Sequence, residues 1–187
     1  MKKISVLLLS ILLCACGSDD NYTPKPRGYF RIALPEKEYT KYQPEDCSYS
    51  FDLNKVAKVA SKKECWADVI YPKFKATIQL TYKPVNEHNL DTLLKEGQDL
   101  AYEHIVKADG IQEKLFVNPE KKVFGQFYSI AGDAATSTQF YVTDSTSHFL
   151  RGVLYFYATP NADSIKPVND FMQDEIVTMI ESLRWQN

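Results

Sequence analysis

The chain has 187 residues, with 22 Lys and Arg against 24 Asp and Glu, three His and four Cys. That length suits one domain with a tail, and 44% hydrophobic with 13% aromatic residues excludes wholesale disorder. A net charge of −2 excludes a polyanion binder working by bulk charge, and seven glycines without a repeat exclude collagen-like and linker proteins.

Met1-Lys2-Lys3 is a positive start, followed by an apolar run from Ile4 to Leu13 broken only by Ser5 and Ser10. The run is too short for a spanning helix, which needs about 20 residues, and has the layout of a secretory signal peptide. Leu13-Cys14-Ala15-Cys16 resembles the lipobox of bacterial lipoproteins, with Leu13 at −3 and Ala15 at −1 from Cys16. Cys16 is therefore expected to carry the lipid and residues 1–15 to be cleaved. Several acyl chains hold a protein firmly, because burial is worth about 0.8 kcal/mol per CH₂. Cleavage removes Lys2 and Lys3, leaving 20 basic against 24 acidic residues and a mature net charge of −4.

Cys47 and Cys65 then remain in the folded part. In an oxidising compartment such a pair reads as one disulfide, worth about 3 kcal/mol for a loop of this length. Two buried thiols or a regulatory pair are the other reading. Neither cysteine has the nearby second ligand that a zinc site needs, so no metal is expected.

Residues 16–45 are expected to form a tether and a Pro/Tyr-rich basic segment, with one short strand near Tyr29 to Ala33; residues 46–187 form the globular domain. Within the domain, Tyr49 and Phe51 alternate with polar residues, the pattern of a half-buried strand. From Lys73 to Lys83 the alternation is nearly perfect, and the polar face is expected to see water. A helix follows at about 87–108, its stripe running through Leu90, Leu94, Ala101 and Ala108, with Asn86 or Asn89 at its start and Gly110 at C′. Four strands are expected at 111–117, 123–131, 137–143 and 148–158. The last is apolar on both faces and so belongs in a sheet covered on both sides. A second helix runs to about Arg184, starting near Pro167 because proline is tolerated in the first turn. The sum is a single α+β domain, a largely antiparallel sheet with two amphipathic helices, one on each face over the central strands.

Little in this pattern carries chemistry. His88, His104 and His148 are scattered, and His104 reads as half-buried and structural. No nucleophile elbow, phosphate loop or dinucleotide fingerprint occurs. Asp174 and Glu175 read as solvated on a helix surface, and Gly125, Gly132 and Gly152 as bulge or turn positions. Neither an enzyme nor a cofactor is indicated. The segment 24–42 holds Lys25, Arg27, Arg31, Lys37 and Lys41 against Glu36 and Glu38, interleaved with Tyr29, Phe30, Tyr39 and Tyr42. Export argues against nucleic acid as its target. Arg27, Tyr29 and Arg31 are candidate anchors for a protein partner or an anionic envelope polymer; alternatively the aromatics pack on the core. Tyr141, Tyr155 and Tyr157 are the only hint of an aromatic cleft for a ligand or glycan.

The run Pro24-Lys25-Pro26-Arg27-Gly28-Tyr29-Phe30-Arg31-Ile32, with Leu34-Pro35-Glu36-Lys37, resembles the GldD gliding-motility lipoproteins of the Bacteroidetes. So do Leu154-Tyr155-Phe156, the segment Asn161 to Val168, and the ending Glu181-Ser182-Leu183-Arg184-Trp185. The resemblance implies a membrane-anchored cell-envelope lipoprotein required for gliding and the associated type IX secretion, with protein partners in that machinery. It brings no catalytic residues, and only the lipidated cysteine carries over, to Cys16. The element order also looks like the PsbP/Mog1 type of α/β/α sandwich. Ser18-Asp19-Asp20 resembles an acidic surface-export signal cut short, leaving the outer membrane as the expected site with either face open.

Overall fold

The computed structural model describes residues 31–103, 108–132, 136–157 and 162–186. Among the described residues ten strands and two α-helices follow one another: β1 Tyr39–Tyr42, β2 Tyr49–Asn54, β3 Lys58–Ser61, β4 Ala67–Tyr71, β5 Ala76–Pro84, α1 Leu90–Tyr102, β6 Gly110–Asn118, β7 Val123–Ala131, β8 Thr136–Thr143, β9 His148–Phe156, α2 Ala162–Ser182 and β10 Arg184–Trp185. The strands form a seven-stranded sheet, ordered β3-β4-β5-β9-β8-β7-β6, and a three-stranded sheet, ordered β1-β2-β10. Every pairing is antiparallel.

The period-two pattern explains the large sheet. Ala76, Ile78 and Leu80 lie opposite Phe156, Leu154 and Gly152, so one face of β5 and β9 is continuous. The apolar stripe of α2, with Val168, Phe171, Met172, Ile176, Met179 and Ile180, packs into the same buried cluster. Tyr49, Phe51 and Leu53 of β2 complete that layer. The opposite face of the sheet carries α1. Gly97 lets the helix approach, since a Cβ there would stand 3.0 Å from Tyr141 Cδ1. Helices on both faces of a mostly antiparallel sheet are the α+β arrangement expected, and the two-sided burial of β9 follows from it.

Several elements differ from the sequence reading. No strand forms over residues 31–33; β1 lies at Tyr39–Tyr42, within the segment read as tether, and pairs with β2. The first helix begins at Leu90 rather than at about 87, and residues 104–107 of its expected end lie outside the described residues. Asn89 occupies its cap position, yet Asn89 Oδ1 accepts the backbone N–H of Asn86 rather than one from the helix. Gly110 opens β6 instead of closing the helix. The 73–83 strand begins at Ala76, because Pro72–Phe74 form a 3-10 turn closed by Lys75 in the left-handed region. Its polar face is not simply wet: Thr77 is buried, since the sheet is covered there too. The helix α2 starts at Ala162, which puts Pro167 in its second turn, exposed near the helix N-terminus. The strands β3 and β10 went unforeseen. At Gly152 the reason for glycine is a close approach rather than a bulge: a Cβ would come within 2.2 Å of the Phe140 ring. The irregularity in the sheet lies elsewhere, between Thr136 and Thr138.

Candidate partner-binding surface

The segment leading into β1 carries the basic and aromatic residues singled out above. Cys16, Arg27 and Tyr29 lie outside the described residues. Arg31 is exposed. From Ile32 onward the segment is fastened to the domain. Ile32 packs against the core, Lys73 Nζ donates to Ala33 O at 2.6 Å, and Asn54 Nδ2 donates to Glu36 O at 3.2 Å. Lys37 pairs with Asp174 at 3.0 Å, both exposed, so that ion pair adds little. Packing on the core thus accounts for the described part of the segment, apart from Arg31 and the half-free Leu34.

The strongest fastening is a residue misread from sequence. Glu175 is only 3% exposed, not solvated like its neighbour Asp174. Its Oε1 accepts the Tyr39 hydroxyl at 3.0 Å and Asn54 Nδ2 at 3.3 Å, and its Oε2 accepts the Tyr71 hydroxyl at 3.0 Å. Three donors from β1, β2 and β4 meet one carboxylate on α2. A buried carboxylate is tolerable when its lone pairs are occupied in this way. Burial, reinforced by the Glu175 charge, pushes the Tyr71 hydroxyl far above its ordinary range, so it stays protonated and donating. The spacing of charged residues could not reveal this, because all three donors come from distant parts of the chain.

Beside this cluster lies a cleft of about 550 Å³ where β1, β2 and β10 meet the end of α2. Lys41, Lys121 and Arg184 line it against Asp52 and Glu181. Antiparallel pairing sets Lys41 opposite Asp52 and Arg184 opposite Ser50. Ser182 Oγ accepts the Asp52 N–H at 2.8 Å, and Lys121 Nζ donates to Glu181 O. Ser50 Oγ is buried and has no hydrogen-bond partner among the described residues. The cleft is mixed in charge with one cation in excess.

Cys47 and Cys65 are bonded, with S–S 2.18 Å and Cα–Cα 5.5 Å. The bridge ties the approach to β2 to the 3-10 turn before β4, where the Tyr49 hydroxyl also donates to Cys65 O at 2.8 Å. Tyr141, Tyr155 and Tyr157 do not gather. Tyr141 stacks on Phe149 at 5.7 Å beneath α1, Tyr155 is half-buried, and Tyr157 is exposed. Clefts beside residues 86–91 and beside residues 43–48 are lined by other side chains. His88 is exposed, and His104 lies outside the described residues. His148 is buried, bonded to the Tyr82 hydroxyl at 2.8 Å and stacked on Trp185 at 5.2 Å. Among the described residues no cluster of three or more His, Cys, Asp or Glu is placed to hold a metal, and no helix is long and apolar enough to cross a membrane.

These features define a single-domain α+β protein whose segment from Ile32 onward is fastened to its core and whose buried Glu175 and His148 are engaged in structure. The chain belongs to the family described as gliding motility lipoprotein GldD, which it matches over residues 19–185. Membership makes it a lipoprotein of gliding motility, anchored at a membrane of the cell envelope. No curated protein matches it. Among solved structures it is similar to cyanobacterial PsbP (CyanoP) from Synechocystis, at 8% identity and TM-score 0.43, covering 83% of this chain and 97% of that one.

Proposed function

We propose that this lipoprotein is a non-enzymatic assembly component of the gliding apparatus and of the associated type IX secretion of the Bacteroidetes. It is held by acyl chains on Cys16, at the outer membrane, and acts through protein contacts. The observation that carries this reading is family membership across nearly the whole mature chain. The placement of Glu175 supports it, since a carboxylate enclosed by Tyr39, Asn54 and Tyr71 serves as a fastening. In this reading Arg27, Tyr29 and Arg31, which precede the fastened stretch in the sequence, are the residues that meet a partner. Gene deletion with complementation tests it. The deletion is expected to lose motility and secretion, and the Cys16→Ala form is expected not to restore them. Normal secretion in the deletion strain removes the reading; rescue by Cys16→Ala removes the anchor from it.

A second reading, an envelope ligand- or glycan-binding module, has the cleft of Lys41, Lys121 and Arg184 as its support rather than the three tyrosines. Lys41→Glu with Arg184→Glu separates the two. Loss of motility while the envelope partners are still co-purified favours the ligand reading.

A further inference from the structure

The seven-stranded sheet has two edges, and they are built differently. The edge strand β3 has four residues, and Lys58 and Ala60 on it are exposed. The other edge, β6, has nine residues, all in register with β7 from Gly110↔Ala131 to Asn118↔Val123 and without a bulge. Among the described residues no strand pairs with its outer side. Natural edge strands are usually shortened, bulged, proline-interrupted or charged, because a long flat edge is a template for another strand. The strand β6 has none of the first three protections. It also carries Leu115 and Val117 two residues apart on one face, 67% and 60% exposed. Its charges are occupied: Glu113 accepts from Gln126 Nε2 at 2.6 Å and from the Tyr102 hydroxyl, and Lys114 Nζ lies 4.8 Å above the Phe116 ring.

We propose that β6 is a homodimerisation edge, pairing antiparallel with β6 of a second copy about a two-fold axis at Leu115. The sequence of the strand permits that occupant in that register and opposes its two neighbours on the N-terminal side. Directly opposed residues in an antiparallel pair point to the same face. With Leu115 opposite Leu115, Glu113 meets Val117, Lys114 meets Phe116 and Gln112 meets Asn118, each twice by symmetry. No like charges meet, and the Lys114–Phe116 contact made within one chain recurs between chains. Centring the axis on Lys114 or Glu113 instead sets Lys against Lys or Glu against Glu, which opposes pairing. Such an isologous contact closes on itself. It merges two seven-stranded sheets into one and leaves only the short β3 strands as edges.

Cysteine cross-linking of the full-length lipoprotein in its own envelope tests the pairing. Cys47 and Cys65 are already bonded to each other, so a Leu115→Cys chain presents its new thiol to the same thiol of its partner. Opposed residues in such a pair lie within the Cα separation that a disulfide bridges. Oxidation is expected to give a species of twice the chain mass, absent from a Leu34→Cys control. Co-expressed Glu113→Cys and Val117→Cys chains with different tags are expected to link to each other, and adding Leu115→Glu to both is expected to abolish that band. Leu115 is exposed, so a retained cooperative unfolding transition certifies that these variants fold, while loss of the dimer lowers its midpoint by mass action. A Leu115→Cys chain that stays monomeric, or that links to a protein lacking the second tag, overturns the proposal.

Discussion

The Tyr39 hydroxyl donates to Glu175 Oε1 at 3.0 Å across 136 residues of sequence, joining the first strand of the fold to the middle of its last helix. The other two donors to that carboxylate, Asn54 and Tyr71, come from β2 and β4. One side chain therefore holds three strands against α2.

Removing Glu175 strands those donors in a buried site. Glu175→Ala is expected to lower stability by about 1–3 kcal/mol, the penalty of leaving buried polar groups unpaired. Tyr71→Phe takes away one donor and leaves the carboxylate two others, so a smaller loss of about 1 kcal/mol is expected. Urea unfolding of both variants checks the order. Equal midpoints for Glu175→Ala and the parent would show that the cluster contributes nothing.

The bridge between Cys47 and Cys65 closes a loop with a sequence separation of 18. Its removal, by Cys47→Ser with Cys65→Ser or by reductant, is expected to cost about 3 kcal/mol in the chain-entropy account. The check is the urea midpoint with and without dithiothreitol. Reductant should shift the parent and leave the double variant unmoved.

Two groups at the turn before β9 set the response to acid. Burial holds the His148 imidazole below its ordinary value, with Asp144 pulling the other way. The unfolded chain therefore takes up a proton first, and this contribution to stability is complete above about pH 6.5 and declines as pH falls below it. For Asp144, burial pushes the carboxyl up, but the backbone N–H groups of Ser147, Thr146 and His148 outweigh it and bring it to about 2. Its contribution is complete above the ordinary carboxylate range and is lost as pH falls toward 2. Thermal midpoints from pH 7.5 to 5 should fall for the parent and fall less for His148→Gln. A parallel decline in both chains would remove His148 from the account.

Gly152 faces Phe140 across the β8–β9 pair, where a Cβ would meet the ring at 2.2 Å. Gly152→Ala is expected to cost about 1–3 kcal/mol through overpacking. Adding Phe140→Leu should recover part of that loss, since contacting residues couple. Strictly additive losses in the double variant would show that the ring is not the obstacle.

Much of this fold was legible in the sequence. The strands β6 to β9 and both helices follow from periodicity, because residues such as Leu154 or Ile176 sit on faces that spacing alone identifies. What spacing misses is what distant parts of the chain supply. Glu175 resembles Asp174 until Tyr39, Asn54 and Tyr71 are brought around it. The strands β3 and β10 are short, and each is a strand only because a longer neighbour pairs with it. Pro167 suggested a later helix start because a missing N–H is cheapest in the first turn, yet the helix extends past it toward its N-terminus. The anchor lies outside the described residues, and for Cys16 the lipobox pattern still carries the argument.

The strand β2 has one neighbour from near the start of the domain and another from the last residues of the chain. During synthesis it therefore waits, with one flank open, until Arg184 and Trp185 emerge. Contacts between such distant segments close late and slowly. The small sheet thus depends on a distant segment: a chain stopped before Arg184 keeps most of its strands but leaves β2 without its second flank. Truncation before Arg184 should accordingly be felt at β2, the strand that also receives β1.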